Sequence, residues 1–158
     1  MRTLLCAYGL AVLLAFGATP ALAQDVPAGG VTVPEVAQWL RSKGYPVQLV
    51  TLSKGSVEIR SASNGVNFYI HFYDCHGGPR CASLGFDAGF NTHGRFDLAK
   101  ENAWNSNNRW ARVSIDKNDD PWLVMDVDVF PGGTYTLLND ELGIWRDMLS
   151  TFAKSINF

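Results

Sequence analysis

His71, Cys75, His76, Cys81 and His93 fall within one short stretch of the chain, and imidazoles beside thiolates are the ligand set of zinc and copper. Their spacing matches none of the strong zinc patterns, and a disulfide between Cys75 and Cys81 would remove both thiolates. A bridge, not a metal centre, is the expectation. Asp116, Asp119, Asp120, Asp126 and Asp128 offer enough carboxylate for calcium, but the spacing and closing Glu of an EF-hand are missing. Asp and Asn in a tight turn ahead of Pro121 need no ion. Nucleophilic catalysis has less to work with. There is no Gly-x-Ser-x-Gly elbow, and no free thiol remains once the two cysteines pair. Gly77-Gly78 runs into Pro79 instead of a helix start, so it makes no phosphate loop. The chain is therefore expected to carry no catalytic residue, no metal and no cofactor. A small periplasmic enzyme or a metal-binding protein stands as the alternative to a non-enzymatic binding module.

A disulfide needs an oxidising compartment, and the first residues supply the address. Met1 and Arg2 give a positive start, Leu4 to Phe16 is an apolar core, and Ala21-Leu22-Ala23 places small residues before Gln24. That layout is a secretory signal peptide over residues 1–23, cut after Ala23. The apolar run falls short of the roughly 20 residues a membrane span needs, and Pro20 interrupts its end. The cleaved chain is expected to be secreted or periplasmic and free of the membrane. Cys6 leaves with the signal, so two cysteines remain, an even count that favours pairing.

Of the 158 residues, 47% are hydrophobic and 18% charged, with a net charge of −2. These figures exclude a disordered or collagen-like chain and point to one domain. The near-neutral balance also excludes a nucleic-acid partner held by phosphate neutralisation. Part of the apolar excess belongs to the signal, and without it the share falls to about 42%, an ordinary globular value.

The rest of the chain alternates between two periods. Residues 24–31 read as a flexible leader. Thr32 opens a helix with Glu35 as its capping-box partner, and Val33, Val36, Ala37 and Leu40 form one buried face before Gly44 and Pro46 stop it. Period two then runs through 47–53, 56–62, 66–75 and 82–90, with Asn64-Gly65 as a strong hairpin turn. Residues 97–107 are again helical, 109–116 and 122–130 are strands, and Leu138, Leu142, Trp145, Leu149, Phe152 and Ile156 mark a long amphipathic helix. The order α-β-β-β-β-α-β-β-α predicts one α+β domain over 32–158, an antiparallel sheet of about six strands with helices on one face.

Register then says what the other face carries. With Cys75 paired to Cys81, Tyr73 faces Ser83, His71 faces Gly85 and Tyr69 faces Asp87. A five-residue loop in the second hairpin sets Arg112 opposite Asp126 and Trp110 opposite Asp128, with Trp122 on the same side. The outer face would thus show Tyr69, His71, Tyr73, Trp110, Arg112, Trp122, Asp126 and Asp128. One reading is a solvated sheet face. The other is a contact surface for a protein partner or a second copy, because exposed rings and Arg exceed what solvation asks for.

Several stretches resemble the YbjN-domain family of bacterial proteins, labelled sensory transduction regulators. The residues that carry the likeness are 68–75 (Phe-Tyr-Ile-His-Phe-Tyr-Asp-Cys), 83–90 and, most specifically, Glu101-Asn102-Ala103-Trp104-Asn105 followed by Arg109-Trp110-Ala111-Arg112. Asp126-Val127-Asp128 and Trp145-Arg146 complete it, over roughly residues 32–156. Trp110 stands where the family more usually has Phe. The resemblance implies a fold similar to type III secretion chaperones, which commonly dimerise and hold partner polypeptides, and it brings no catalytic residues. An exported copy has no direct access to cytoplasmic transcription, so the expected function is a binding or chaperone-like module. Within Glu101-Asn102-Ala103-Trp104-Asn105, Trp104 is expected as a core anchor, with Asn102 and Asn105 capping backbone at the helix-to-strand junction.

Overall fold

Thr32 starts the first helix through a reciprocal cap. Its hydroxyl accepts the Glu35 amide at 3.3 Å, and the Glu35 carboxylate accepts the Thr32 amide at 2.8 Å. In the computed structural model, which describes residues 24–53 and 55–158, helix α1 (Val33–Ser42) buries Val36, Ala37, Trp39 and Leu40. The signal peptide expected over residues 1–23, its cut after Ala23 and Cys6 lie outside the described residues.

Strands β1 (Gln48–Thr51), β2 (Val57–Ser63), β3 (Val66–Tyr73) and β4 (Ser83–Gly89) form an antiparallel meander. Asn64 and Gly65 both adopt positive φ, 51° and 83°, as the tight two-residue hairpin demands. Helix α2 (Leu98–Asn107), strands β5 (Arg112–Ile115) and β6 (Pro121–Asp128) and helix α3 (Tyr135–Ser155) complete the α+β order read from the sequence. The six strands make one antiparallel sheet in the order β1-β2-β3-β4-β6-β5. β6 takes the interior place because Leu123, Met125 and Val127 present a continuous buried row beside Leu84, Phe86 and Ala88. The four-residue β5 is left at the edge.

The helices pack on the sheet face that carries Phe68, Ile70, Leu84 and Phe86. Trp145 of α3 is wedged against Phe68 and Phe86, with ring centroids 5.9 and 5.7 Å away. Further along α3, Phe152 meets Phe90, Phe96 and Trp104 edge-on. Such aromatic pairs contribute beyond their area burial, so α3 holds the layer together at two points.

Two expectations need correction. Residues 24–31, read as a flexible leader, pack against the domain. Val26 and Val31 are buried, Asp25 bridges Thr134, and Val31 exchanges backbone hydrogen bonds with Cys81. Two valines separated by polar and small residues gave no period, yet each fills a gap at the sheet's end. Arg80 reinforces the contact, donating to the Gly30 carbonyl at 2.7 Å and to both Glu35 oxygens. The second hairpin is also shifted. Arg112 opposes Val124 and Ser114 opposes Trp122, so Arg112 is not directly across from Asp126, nor Trp110 from Asp128. The loop is still five residues but spans 116–120, closed by the Asp116 amide on the Asp120 carbonyl. The Asp116 carboxylate accepts the Asn118 and Asp120 amides, and that Asx-type turn sets the register two residues from the expected one.

Cys75 and Cys81 are disulfide-bonded, and the β3–β4 register is the one expected from that pairing. Closing this short loop should stabilise the domain by about 2 kcal/mol on the chain-entropy view. Cys75→Ser/Cys81→Ser is therefore expected to lower the unfolding free energy obtained from urea titration by about that much. Reductant should do the same to the unmutated protein and nothing further to the variant.

Candidate functional site

With α1, α2 and α3 on one face, the opposite sheet face is left to its own side chains among the described residues. Strand alternation sends Tyr69, His71 and Tyr73 there from β3, and their rings stack in sequence with centroids 6.5 and 6.2 Å apart. His71 is the centre of an ionic cluster. Its Nε2 lies 2.8 Å from the Asp87 carboxylate and its Nδ1 lies 3.2 Å from that of Glu58. Glu58 was not among the residues singled out from the sequence, although it is only 8% exposed. The signal was present: the Asn64-Gly65 turn fixes the β2–β3 register, and continuing that register by one pair beyond Ile59 and Ile70 puts Glu58 beside His71.

The hydrogen bond to Asp87 lifts the His71 pKa above its ordinary value. Burial opposes the shift, and the charges of Asp87 and Glu58 add to it. A raised imidazole pKa contributes stability that is complete below the ordinary value of about 6.5 and is lost as pH rises through the folded one. The urea midpoint should accordingly fall as pH rises above the ordinary imidazole value of about 6.5, and His71→Gln should flatten that part of the profile. An equal slope in the variant would place the titration elsewhere. The same cluster limits chemistry. Both ring nitrogens face a carboxylate, so neither is left to take a proton from a nucleophile. The two carboxylates also lie on different ring nitrogens and do not converge on a point where an ion could sit. Among the described residues no group of three or more His, Cys, Asp or Glu is placed to hold a metal ion.

Two rings cover bare backbone. A Cβ on Gly85 would fall 2.7 Å from the Tyr73 ring, and one on Gly89 would fall 2.8 Å from Trp122. Glycine at these positions is what lets large rings lie flat on the sheet. Part-burial, then the charges of Asp87 and Asp126, push the Tyr73 hydroxyl pKa up, so the phenol stays a neutral donor. Asp126 opposes Gly85 and Asp128 opposes Ser83. Arg112 reaches Asp126 diagonally at 2.6 Å, a pair more than half exposed that contributes at most about 1 kcal/mol. Trp110 lies just before β5, 46% exposed, with the Arg109 guanidinium over its ring at 4.4 Å.

The segment 101–105 is built differently. Glu101 sits in the first turn of α2, where a negative charge complements the helix dipole. Trp104 is buried and donates its indole N–H to the Ala111 carbonyl at 2.9 Å. Asn105 bonds Val113 twice, accepting its amide at 2.7 Å and donating to its carbonyl at 3.0 Å. That carboxamide occupies the free edge of β5 as a neighbouring strand would. Asn102 is exposed and makes no side-chain hydrogen bond among the described residues; Asn108 instead caps the helix through the Trp104 carbonyl.

Residues 32–158 match a family model described as "YbjN: putative bacterial sensory transduction regulator". Neither a curated protein nor a solved structure matches the chain. Among the described residues, no helix is long and apolar enough to cross a membrane.

Proposed function

The chain belongs to the YbjN family, and from that membership we propose an exported, non-enzymatic, chaperone-like module that binds a protein partner across the outer face of its sheet. The observation that carries this reading is the pair of rings laid over glycine, Tyr73 on Gly85 and Trp122 on Gly89, on the face opposite the helices. A ring already held flat loses little side-chain freedom on binding, so its contact area converts to affinity with a small ordering cost. The edge of this platform is acidic. Asp128 and Asp74 are exposed on either side of Ser83, and neither forms an ion pair among the described residues. A partner segment with apolar and basic side chains complements it, the charge steering encounter and the rings supplying contact.

Further support comes from the disulfide, which suits an oxidising compartment, and from His71, whose two nitrogens are already engaged. A regulator-type family is compatible with action through protein contact. The test is co-purification of the exported protein from native periplasm, comparing it with Tyr73→Ser/Trp110→Ser/Trp122→Ser. The partner should be lost from the variant while its thermal midpoint stays near that of the unmutated domain. An unchanged set of bound proteins would overturn the reading. A partner that proves to be a second copy, seen by sedentation equilibrium of the purified protein, would replace capture of another protein with self-association.

A further inference from the structure

On the helical side of the domain, α2, the segment 92–96 and the end of α3 enclose a cleft of about 730 Å³. That volume is within the range of small-molecule sites, roughly 300–1,000 Å³. Beneath it lies the core cluster of Phe96, Trp104 and Phe152, of which only the edges of Phe96 and Trp104 reach the surface, while Ala103 and Ile156 give the open lining its apolar part among Asn107, Asn108, Thr151 and Ser155. Arg95 and Lys100 line it as well, and among the described residues no carboxylate does. Their positions are set by backbone. Arg95 donates Nε to the Thr92 carbonyl at 2.9 Å, and the Lys100 ammonium donates to the Arg95 carbonyl. The nearby acids are committed elsewhere: Asp97 caps α2 through the Lys100 amide, and Asp120 holds the Thr92 amide and hydroxyl. The terminal nitrogens of Arg95 have no hydrogen-bond or ion-pair partner among the described residues. They form the planar fork that receives a carboxylate or a similar oxyanion.

We propose that this cleft binds a small amphipathic organic anion, its apolar body over Ala103, Ile156 and the edges of Phe96 and Trp104 and its oxyanion between Arg95 and Lys100. The site is separate from the sheet face assigned to a protein partner, and it gives Trp104 a second use beyond anchoring α2. Arg95, Phe96, Lys100 and Trp104 lie within ten residues of one another, and the end of α3 closes the cleft from a distant part of the chain.

Calorimetric titration with 1-naphthoate and with its neutral isostere 1-naphthamide tests this on the intact protein. The naphthoate should bind at least about tenfold more tightly than the amide, because only the anion gains charge-assisted hydrogen bonds. Arg95→Gln/Lys100→Gln should erase that preference. Ala103→Trp, which fills the cleft from the exposed side of α2, should abolish binding of both probes. Lys100→Glu serves as a second, charge-reversing variant should the filled one fail to fold, and it should reject the naphthoate. Tyr73→Ser, on the other face, should leave naphthoate binding unchanged. Equal affinity for the two probes, a preference that survives loss of both cations, or no naphthoate binding at millimolar concentration would overturn the proposal.

Discussion

Trp145→Ala is expected to destabilise the domain by about 3–5 kcal/mol, a large part of the total of roughly 5–15 kcal/mol usual for a single domain. Trp145 is fully buried and touches the ring pair Phe68 and Phe86 at the centre of the sheet. Truncation would leave a cavity bounded by two rings fixed on neighbouring strands, which have little freedom to collapse into it. Trp145→Phe should behave very differently. The indole N–H is buried and has no hydrogen-bond partner among the described residues, a situation that costs the folded state about 1–3 kcal/mol. Phenylalanine removes that orphan donor while keeping most of the ring, so its net loss should be well below that of alanine. Urea unfolding of the three proteins decides it. Equal losses for Phe and Ala would mean that the indole N–H makes a hydrogen bond that the folded domain depends on, and that retained ring volume does not govern the site.

Gly30→Ala is expected to release the N-terminal segment from the sheet. Gly30 has φ of +99°, and a Cβ there would lie 1.9 Å from the Cys81 carbonyl oxygen and 2.5 Å from its carbon. The obstacle is backbone, so no side chain can swing aside. The chain's cheapest response is to detach residues 24–31 instead of distorting the disulfide loop. Detachment exposes Val26 and Val31, each contributing roughly 1.5–3 kcal/mol when buried, partly offset by the freedom the segment regains. It also frees the Tyr135 amide, which donates to the Gln24 carbonyl at 2.9 Å, and the Val31 amide, which donates to Cys81. Native-state hydrogen exchange should therefore show faster exchange at Val31 and Tyr135, with Ile70 and Phe86 in the sheet still slow. Unchanged protection at Val31 would refute the steric argument.

How far the residues announce this architecture depends on the kind of signal. Strict alternation in 66–73 and 83–89, joined to one cysteine pairing, was enough to place Tyr73, His71 and Tyr69 opposite their correct partners. The capping box at Thr32 and Glu35 and the apolar face of α3 are equally local and equally legible. The 116–120 turn was not, because its geometry comes from one Asp116 side chain taking two amides, and loop length alone cannot locate that bond. An even slip of two keeps a strand residue on its face, so Arg112 still shares a side with Trp122, Asp126 and Asp128 while its direct partner changed. Residues 24–31 bury two valines against the far end of the sheet, a tertiary contact without local period. The placement of β6 between β4 and β5 is likewise long-range.

Within the candidate site the rings were legible and the acid at its centre was not. Glu58 looks like a solvent-facing residue on an alternating strand, and only the cross-strand neighbour His71 explains its burial. Asn105 shows the reverse case. A polar residue near a helix end reads as a cap, and here it closes the β5 edge at Val113, which limits strand addition on that side. Recognition by the broad face, where Tyr73 and Trp122 are already laid flat, is consistent with that closure.

A protein partner bound as proposed covers this face. Hydroxyl-radical footprinting of the protein, alone and bound to the partner it co-purifies with, reads side-chain accessibility directly. Tyr73 and Trp110, each about half exposed, should be protected in the complex. Leu98 and Leu137, exposed on α2 and α3, should oxidise at the same rate in both states. Protection of Leu98 and Leu137 with no change at Tyr73 and Trp110 would contradict the account and move the interface to the helical side.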